Sequence, residues 1–556
     1  MDRFRHLLRS TLSIAMASAL ALWLALPPCD LWPLAWIAPV GWLLLVRMRR
    51  LPGRRPYFAL WAAGFVFWLL AYHWLRLPHP ATGIGWVALA FYLGFYLPVF
   101  VGLSRVAVHR WHMPLMLAAP AVWTGLELAR GHLLSGITMA SLGHTQYHWI
   151  AVMQLSDLAG AYGVGFVVMA VAACAARMLP CDDDRFALWP LPVAGAILAA
   201  TLGYGYWRDV PTPHGAVEVA LIQGAIDTEL KEGRNKPEDV FRHYVELSQR
   251  AVRENPEVGL VVWPEAMFRY PLFEYDDDAA LPPGTPYTEE EFRQALPLYA
   301  QSTRRAISHL SQILGRPMIL GIDRLQYRRD GQRYFNSAAY ISTEGGVVAT
   351  YDKMHPVVFG EYVPFVQYLP WLQKLTPLAT SLTAGDKAAV FQVGKLRYAP
   401  SICYENVLPH LIRRHVLSLG AEDREPDILV NLTNDGWFWG SSELDMHLAC
   451  AVFRAVECRK PMLVAANTGF SAWIDGSGRI VVRGPRRQPW VVIARPAPDP
   501  RVSWYLRHGD WFAGVCLAFC GVLAGDGLAF ALRRARGWPG DPAGKLPTPP
   551  NLSGRV

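Results

Sequence analysis

The sequence predicts a membrane bundle of about eight helices joined to an extracytoplasmic α/β domain. Apolar segments fill the first 210 residues, and short β-rich runs alternating with charged helices follow them. Only 18% of the 556 residues are charged, and the chain contains 22 Trp and 23 Phe, which is unusual for a soluble protein. A chain of this length exceeds what one hydrophobic core usually organises, so at least two structural units are expected.

Eight apolar segments approach the roughly 20 residues that a helix needs to cross a bilayer. They cover residues 10–28, 31–48, 57–76, 84–107, 114–130, 160–179, 186–207 and 509–533. Segment 114–130 fits this description least well, because it is short and contains Glu127. The first segment resembles a signal peptide but has no evident cleavage site, so we expect it to be retained as a helix.

Arginines predict how these segments are oriented. Clusters precede the first segment and follow the second, fourth, sixth and last, whereas the intervening turns hold almost no basic residue. The clusters are Arg3, Arg5 and Arg9; Arg47, Arg49, Arg50, Arg54 and Arg55; Arg105 and Arg110; Arg177 and Arg185; and Arg533, Arg534 and Arg536. The positive-inside rule places all of them in the cytoplasm if seven helices precede the α/β domain and one follows it. The net charge of +8 therefore does not indicate a nucleic-acid partner.

The predicted boundaries follow from these segments. Residues 1–210 form seven transmembrane helices, 211–505 the α/β domain, 506–535 the last transmembrane helix, and 536–556 a Pro/Gly-rich, disordered cytoplasmic tail. Within the α/β domain, β-rich runs alternate with helices, and several later runs lack an intervening helix, so mixed or partly antiparallel sheets are expected. The helices are predicted at 237–254, 288–314 and 443–459, and the later runs at 337–351, 388–402, 463–474 and 479–493.

Three polar residues follow three of the predicted strands, where α/β sheets tend to place ligands. They are Glu265, Lys353 and Cys403. Each alone has an ordinary interpretation, as a surface carboxylate, a solvated lysine or a small core residue. Together they suit acyl transfer, since a glutamate can deprotonate a thiol and a lysine can stabilise the thiolate and the tetrahedral oxyanion.

Other chemistries find little support in the sequence. No zinc spacing, Walker loop or dinucleotide-binding glycine run is evident, and no histidine at a strand end suggests a Cys–His pair. The eight cysteines do not form the pattern of a disulfide framework. We therefore predict an enzyme without a cofactor or a metal.

The contexts of the three residues resemble the nitrilase (carbon–nitrogen hydrolase) superfamily. They read Trp-Pro-Glu at 263–265, Tyr-Asp-Lys at 351–353 and Cys-Tyr-Glu at 403–405. Longer matches, with the frame of helices, resemble the apolipoprotein N-acyltransferase family over about residues 10–535. These matches are Phe-Gly-Glu-Tyr-Val-Pro-Phe at 359–365, Ser-Ile-Cys-Tyr-Glu at 401–405, Asn-Leu-Thr-Asn-Asp-Gly-Trp-Phe at 431–438 and Ala-Asn-Thr-Gly at 466–469.

This resemblance implies a four-layer αββα domain in the periplasm of a multi-pass bacterial inner-membrane protein, acting as a monomer. It implies that a fatty acyl chain passes from a phospholipid, usually phosphatidylethanolamine, through a cysteine thioester to the N-terminal amine of a diacylated apolipoprotein. Cys403 would be the nucleophile, Glu265 the general base and Lys353 the oxyanion stabiliser. Glu361 would be a second carboxylate, Tyr404 would contribute a backbone N–H to the oxyanion hole, and Glu405 would hold the local geometry.

Acyl chains cost about 0.8 kcal/mol per methylene exposed to water, so a site for two lipidated substrates should open towards the bilayer. Residues 268–275 and 363–382 are candidates for that mouth, with Phe268, Phe365, Tyr368 and Trp371 facing lipid. The alternative is that these side chains simply pack under the sheet.

The sequence leaves two other functions open. A membrane-anchored amidohydrolase would use the same three residues and differ only in letting water resolve the thioester. A non-catalytic assembly factor would tolerate Cys403→Ser. Departures from the family pattern at 136–144, Met446 and Ala465 also leave open how the substrates are held.

Overall fold

The computed structural model describes residues 10–211, 213–227, 236–282, 285–363, 368 and 381–535. Its N-terminal part is helical, and a last long helix near the C terminus packs against the helix Leu115–His132. We call these helices together the membrane bundle. They are α1 (Thr11–Ala25), α2 (Val40–Arg47), α3 (Pro56–Ala71), α4 (Thr82–Gly94), α5 (Tyr96–Arg105), α6 (Leu115–His132), α7 (Ile150–Met153), α8 (Ser156–Met178), α9 (Pro190–Arg208) and, after the α/β domain, α15 (Trp511–Ala535).

Every predicted apolar segment contains helix, but few of the helices are long. Among the described residues, three helical segments are long and apolar enough to cross a membrane, namely Thr82–Arg110, Ser156–Met178 and Trp511–Arg533. Shorter apolar helices lie at Thr11–Ala25, Trp32–Arg47 and Pro56–Ala71. The count of eight membrane-spanning helices therefore stays a prediction.

Several predicted cytoplasmic arginines meet at one end of the bundle. Arg47 Nη2 and Arg177 Nη1 both pair with Asp184, at 3.0 and 3.2 Å. Arg105 Nη1 donates to the carbonyl of Leu45 at 3.1 Å, at the end of α2. Because clusters that follow the second, fourth and sixth apolar segments come together here, their placement is consistent with a common side of the membrane.

The α/β domain contains two mixed sheets within the described residues. The strands are β1 (Glu218–Gln223), β2 (Val258–Val262), β3 (Phe268–Tyr275), β4 (Met318–Arg328), β5 (Gly331–Ile341), β6 (Val347–Asp352), β7 (Phe391–Val393), β8 (Leu396–Ile402), β9 (Ile428–Thr433), β10 (Met462–Ala466), β11 (Ala472–Ile474), β12 (Ile480–Arg483) and β13 (Trp490–Ala494). Strands β8, β9 and β10 run parallel, as do β1, β2, β4 and β3, and the remaining strands pair antiparallel. The first sheet has the order β13-β1-β2-β4-β5-β6 with β3 beside β4, and the second β12-β11-β10-β9-β8-β7.

Four layers result from the way these sheets are covered. The helices are α10 (Pro237–Glu254), α11 (Glu289–Leu314), α12 (Pro409–Ala421), α13 (Glu443–Cys458) and the short α14 (Trp504–His508). Inner-face residues of both sheets share one apolar core, while α10 and α11 cover the first sheet and α12 and α13 the second. The αββα arrangement implied by the resemblance is confirmed, and so are the mixed sheets.

Hairpins explain the long β-rich runs that lack an intervening helix. The run 337–351 belongs to β5 and β6, and 388–402 contains β7 and β8, joined by a turn in which Gly394 has φ +58°. Glycine adopts this left-handed conformation without strain, so the tight antiparallel connection is favoured there.

Helix α13 links the α/β domain to the membrane bundle. All of its residues except Asp445 are buried, because one side packs on the second sheet and the other on the bundle. Just after it, Arg459 Nε donates to Asp157 Oδ2 at 2.9 Å and Nη1 to Gln154 Oε1 at 2.7 Å. A buried arginine that donates to two residues of the bundle attaches the two parts in one orientation.

Candidate active site

Glu265, Lys353 and Cys403 all lie at strand ends, as predicted. Lys353 directly follows β6, Cys403 directly follows β8, and Glu265 comes shortly after β2. Because β2 and β6 belong to one sheet and β8 to the other, the three residues meet between the sheets at one edge of the domain. The Lys353 Nζ lies 3.5 Å from Glu265 Oε1, and its charge and that of Glu265 both act on the Cys403 thiol.

Glu265 is buried and held from two sides. Asn336 Nδ2 donates to its Oε1 at 2.6 Å, and the backbone N–H of Asn434 donates to its Oε2 at 2.8 Å. Its main chain lies directly over Gly321, where a Cβ would come within 2.1 Å of the Pro264 carbonyl oxygen. Glycine at position 321 therefore permits the close approach that brings Glu265 into the site.

Lys353 is almost completely buried between two carboxylates. Its Nζ donates to Glu361 Oε1 at 2.7 Å, closer than its contact with Glu265. The other oxygen of Glu361 accepts from the Val357 N–H at 2.8 Å. This arrangement fixes the ammonium group beside the thiol and leaves it little freedom to turn away.

Cys403 occupies a strained turn at the start of a short 3₁₀ helix, Cys403–Val407. Its φ is +49°, a left-handed conformation that costs a non-glycine residue of order 1 kcal/mol or more. The carbonyl oxygen of Cys403 accepts from Asn431 Nδ2 at 3.3 Å and from His447 Nε2 at 3.1 Å. These contacts hold the turn so that the side chain stays partly exposed.

His447 is oriented by a carboxylate on its other nitrogen. Its Nδ1 lies 3.3 Å from Asp435 Oδ1, which also accepts from Thr433 Oγ1 at 2.6 Å. Burial alone would lower the pKa of His447, but Asp435 outweighs it and raises the pKa. A protonated ring can then donate from both nitrogens, to Asp435 and to the Cys403 carbonyl.

Asp435, Glu443 and His447 have ligand atoms within 4.8 Å of one another and are buried, a spacing compatible with a metal ion. Both ring nitrogens of His447 are already committed, however, to Asp435 and the Cys403 carbonyl. We therefore assign His447 and Asp435 to positioning of the Cys403 turn.

Glu405 ties the turn at Cys403 to the loop after Lys353. One of its oxygens accepts from the Ile402 N–H at 2.7 Å, and the other from the Met354 N–H at 2.7 Å and the His355 N–H at 3.1 Å. The Tyr351 hydroxyl donates to the same carboxylate at 2.8 Å. Since two loops depend on one side chain, Glu405 sets the spacing between the thiol and the lysine.

The charges of the three residues are tuned by burial and by one another. Burial raises the pKa of Cys403 well above its usual value, and Glu265 adds to the rise while Lys353 opposes it. Burial also raises the pKa of Glu265, with Lys353 opposing the rise. Burial would lower the pKa of Lys353, but Glu361 and Glu265 raise it above its usual value. The resting site thus combines a protonated thiol with a basic carboxylate and a lasting positive charge.

The site lies against the membrane bundle. Tyr404 Oη donates to the Gly136 carbonyl at 2.5 Å, and His355 Nε2 lies 3.1 Å from the Ser135 carbonyl oxygen. The ring of Trp74 packs edge-on against Phe438, with 5.0 Å between centroids. The turn at Cys403, the loop after Lys353 and the segment after β9 therefore contact the connections between bundle helices directly.

The structure places the predicted lipid-facing residues in different environments. The prediction that Phe268 faces lipid is wrong. Phe268 is 1% exposed and packs with Trp263 and Tyr270 in the core under the first sheet. Residues 268–275 form strand β3 along β4 instead of an open loop. Tyr368 is 73% exposed, whereas Phe365 and Trp371 lie outside the described residues.

Several residues of the site carried no signal in the sequence. Asn336 sits inside β5, away from any strand end, and Asn434 directly follows β9 but contributes only its backbone N–H, which any residue except proline offers. Of the departures, Met446 is buried in the core of the bundle, and Ala465 is buried between the sheets. The remaining departure, the stretch 136–144, begins at Gly136, whose carbonyl oxygen accepts from Tyr404.

Glu405→Gln is expected to slow formation of an acylated Cys403 by about 10- to 100-fold. The concentration of the acyl donor that gives half the maximal rate should stay nearly unchanged. A glutamine has only one acceptor atom for the donors on Ile402, Met354 and Tyr351, so the two loops separate. Single-turnover acylation measures the effect, with exposed Glu422→Gln as the control. An unchanged rate would contradict the positioning role.

Two protein-family models match this chain. One, described as the apolipoprotein N-acyltransferase N-terminal domain, covers residues 18–174, and one described as carbon-nitrogen hydrolase covers residues 218–498. The apolipoprotein N-acyltransferase of Rhodopirellula baltica is 32% identical over 549 residues, which is 91% of this chain and 95% of that protein. That of Geobacter metallireducens is 32% identical over 556 residues, 96% of this chain and 98% of that protein. A solved amidase from Nesterenkonia sp. aligns with 53% of this chain and 94% of its own at 14% identity and a TM-score of 0.35.

Proposed function

The chain belongs to the apolipoprotein N-acyltransferase family, and we propose that it transfers a fatty acyl chain from a phospholipid to the N-terminal amine of an apolipoprotein. The acceptor amine is that of a diacylglyceryl-cysteine, and the transfer completes lipoprotein maturation. One observation carries the proposal: a buried Glu–Lys–Cys site lies directly against an apolar helical bundle. Substrates that carry acyl chains can reach such a site without leaving the membrane.

In the first half-reaction, Cys403 is the nucleophile and Glu265 the general base. The thiol gives its proton to Glu265 as the sulfur forms a bond to an ester carbonyl carbon of the phospholipid. Lys353 Nζ and the backbone N–H of Tyr404 stabilise the oxyanion. The C–O bond then breaks, Glu265 returns the proton to the leaving oxygen, and a lysophospholipid departs. The raised pKa of Glu265 makes it a stronger base for this transfer.

In the second half-reaction, the acceptor amine attacks the thioester. The nitrogen forms a bond to the carbonyl carbon, the C–S bond breaks, and the thiolate takes up the proton that the nitrogen loses. A thioester retains the transfer potential of the acyl group, so no nucleotide is needed. Glu361 fixes Lys353 in both half-reactions, through the 2.7 Å contact with its ammonium group.

The decisive experiment supplies the purified enzyme with an acyl-labelled phosphatidylethanolamine and a diacylated lipopeptide. Transfer predicts label on Cys403 and then on the peptide N terminus, both followed by mass spectrometry. Free labelled fatty acid without N-acylated peptide would instead indicate the amidohydrolase alternative. Parallel reactions with phosphatidylglycerol test our proposal that phosphatidylethanolamine is the preferred donor.

We further propose a monomer with eight transmembrane segments in the bacterial inner membrane and residues 211–505 in the periplasm. Residues 1–210 contain seven of these transmembrane segments and residues 506–535 the eighth, and residues 536–556 lie in the cytoplasm. Two observations support this orientation. Arginines gather near Asp184, and the α/β domain contacts a different connection of the bundle, at Gly136.

Labelling of intact cells tests this topology. In a background with Cys29→Ser and Cys403→Ser, Asp330→Cys on the exposed β4–β5 turn should react with an impermeant maleimide in intact cells after the outer membrane is opened. Arg54→Cys, exposed in the turn after α2, should react only after the inner membrane is lysed. The reverse pattern would overturn the proposed orientation.

A further inference from the structure

The two half-reactions at Cys403 do not use a polar surface that lies beside Glu265. Asp323 in β4 and Asn336 in β5 are direct partners in the antiparallel ladder, so their side chains stand side by side on one face. Gly321, which precedes Asp323 by two positions and so lies on the same face, is the glycine covered by Pro264 and Glu265. Asp323 and Asn336 therefore extend the surface on which Glu265 rests.

The amide of Asn336 presents an acceptor that the protein does not use. Its Nδ2 donates to Glu265 Oε1 at 2.6 Å, and this assignment is required because a carboxylate only accepts. Among the described residues, none donates a hydrogen bond to Asn336 Oδ1, although the residue is only 6% exposed. A buried carbonyl without a donor costs about 1–3 kcal/mol, so this position favours a ligand that donates.

The charges at this surface favour a cationic ligand. Three carboxylates, those of Asp323, Glu265 and Glu361, are close enough to influence one another. Lys353 is already shared by two of them, at 3.5 Å from Glu265 and 2.7 Å from Glu361. Asp323 is thus the carboxylate that Lys353 does not pair with in the described part of the chain.

The neighbours of Asp323 leave its carboxylate ionised near neutral pH. Burial raises its pKa to about 6, while a hydrogen bond from Tyr334 and the charge of Arg269 oppose the rise. Arg269 acts from a distance, since the described residues contain no ion pair between the two side chains. Asp323 therefore has the charge to attract a cation and the basicity to accept a proton from one.

We propose that Asp323 and Asn336 Oδ1 bind the primary ammonium group of the acceptor and hold it beside the acylated Cys403. The inference rests on the proposed acyl transfer. The ammonium gives one proton to Asp323, and the freed lone pair forms the N–C bond to the thioester carbon. The C–S bond breaks, and the sulfur receives the second proton from the nitrogen through Glu265, which leaves an amide, a thiol and a protonated Asp323.

Phosphatidylethanolamine also carries a primary ammonium, but its position in the donor fits this site less well. The whole glycerophosphate separates that nitrogen from the ester carbonyl that Cys403 attacks, whereas the acceptor nitrogen must bond to the same carbon. Asn336 lies between Asp323 and Glu265, because it is the ladder partner of Asp323 and donates a hydrogen bond to Glu265. A site this close to the base suits the attacking amine.

The test separates the two half-reactions in the full-length enzyme with Asp323→Asn. Acylation of Cys403 is measured by intact mass with phosphatidylethanolamine and with phosphatidylglycerol. Resolution of the isolated acyl-enzyme is measured with a diacylated lipopeptide and with hydroxylamine, a small neutral nucleophile. The matched control is Glu274→Gln, a carboxylate on the opposite face of the same sheet, paired with Arg324.

Asp323→Asn should acylate at the wild-type rate with both lipids and react normally with hydroxylamine. The lipopeptide concentration for half-maximal transfer should rise about tenfold, as expected for loss of one charge-assisted hydrogen bond. The maximal rate of transfer to the lipopeptide should also fall, because asparagine cannot accept the proton of the ammonium group. Glu274→Gln should match the wild type in every reaction. Asp323→Ala, with the same expected result, provides a second variant if Asp323→Asn does not fold.

Three outcomes would overturn the proposal. Unchanged use of the lipopeptide would exclude Asp323 from the acceptor site. Slower acylation with phosphatidylethanolamine alone would assign the site to the donor's ethanolamine. Equal losses in all four reactions, hydroxylamine included, would assign Asp323 a structural role. Failure of the proposed function is distinguishable, since the wild-type acyl-enzyme would then not transfer to the lipopeptide.

Discussion

Replacement of Cys403 by serine is expected to abolish both the acylated enzyme and the N-acylated product, lowering turnover by about 10³-fold or more. Burial already raises the pKa of the Cys403 thiol well above its usual value, so Glu265 deprotonates it only as it attacks. A serine hydroxyl is a far weaker acid than a thiol, and a carboxylate cannot deprotonate it to a useful extent. Intact mass after exposure to phospholipid measures the adduct directly.

The exposed Cys29 provides the matched control for this substitution. Cys29→Ser should form the adduct and transfer the acyl chain at the wild-type rate, because Cys29 lies outside the site. Folding of Cys403→Ser is verified by its thermal unfolding midpoint, which we expect to change little. A Cys403→Ser enzyme that still N-acylates the lipopeptide would disprove the nucleophile assignment, and tolerance of it in cells would favour a non-catalytic assembly factor.

The catalytic candidates were predictable because each comes at or shortly after the end of a strand. Glu265, Lys353 and Cys403 were each predicted there, and the topology that brings β2, β6 and β8 to one edge follows from their parallel or hairpin connections. The positioning groups were not predictable in the same way. Asn336 matters because β5 pairs with β4 next to Glu265, which is a tertiary contact with no local sequence pattern.

Phe268 shows why the lipid-facing prediction failed in part. The proline at position 271 interrupts the apolar pattern of 268–275, which suggested a loop at the mouth of the site. The segment instead pairs in parallel with β4, with a register shift between Phe268 and Leu272 that accommodates the proline. A proline is tolerated in a strand at such an irregularity or at an edge, and only the sheet order reveals that β3 lies at one.

The largest stability effect is expected for Lys353→Met, which should also reduce acylation by at least about 100-fold. Methionine leaves the buried Glu265 and the partly buried Glu361 without the cation that lies 3.5 and 2.7 Å from them. Removing one partner of a buried ion pair typically costs about 3–5 kcal/mol. Urea unfolding in detergent, followed by tryptophan fluorescence, measures the loss, and exposed Lys395→Met is the control.

A double variant separates charge from packing in this loss. Lys353→Met combined with Glu361→Gln removes one of the two stranded carboxylates, so part of the stability should return while acylation stays low. Stability without recovery of activity is expected, because the oxyanion still lacks its positive charge. A double variant as unstable as Lys353→Met alone would indicate that the packing of the lysine chain dominates.

The pH dependence of Lys353→Met provides an independent check of this assignment. Burial raises the pKa of Glu265 and Lys353 opposes that rise, so without the lysine the folded-state pKa is higher still. A group with a raised folded-state pKa favours folding below its unfolded-state pKa and loses that contribution as pH rises through the folded value. The stability difference from wild type should therefore be small at acidic pH and grow towards neutral and alkaline pH. A difference that does not change with pH would exclude the stranded Glu265 charge as its cause.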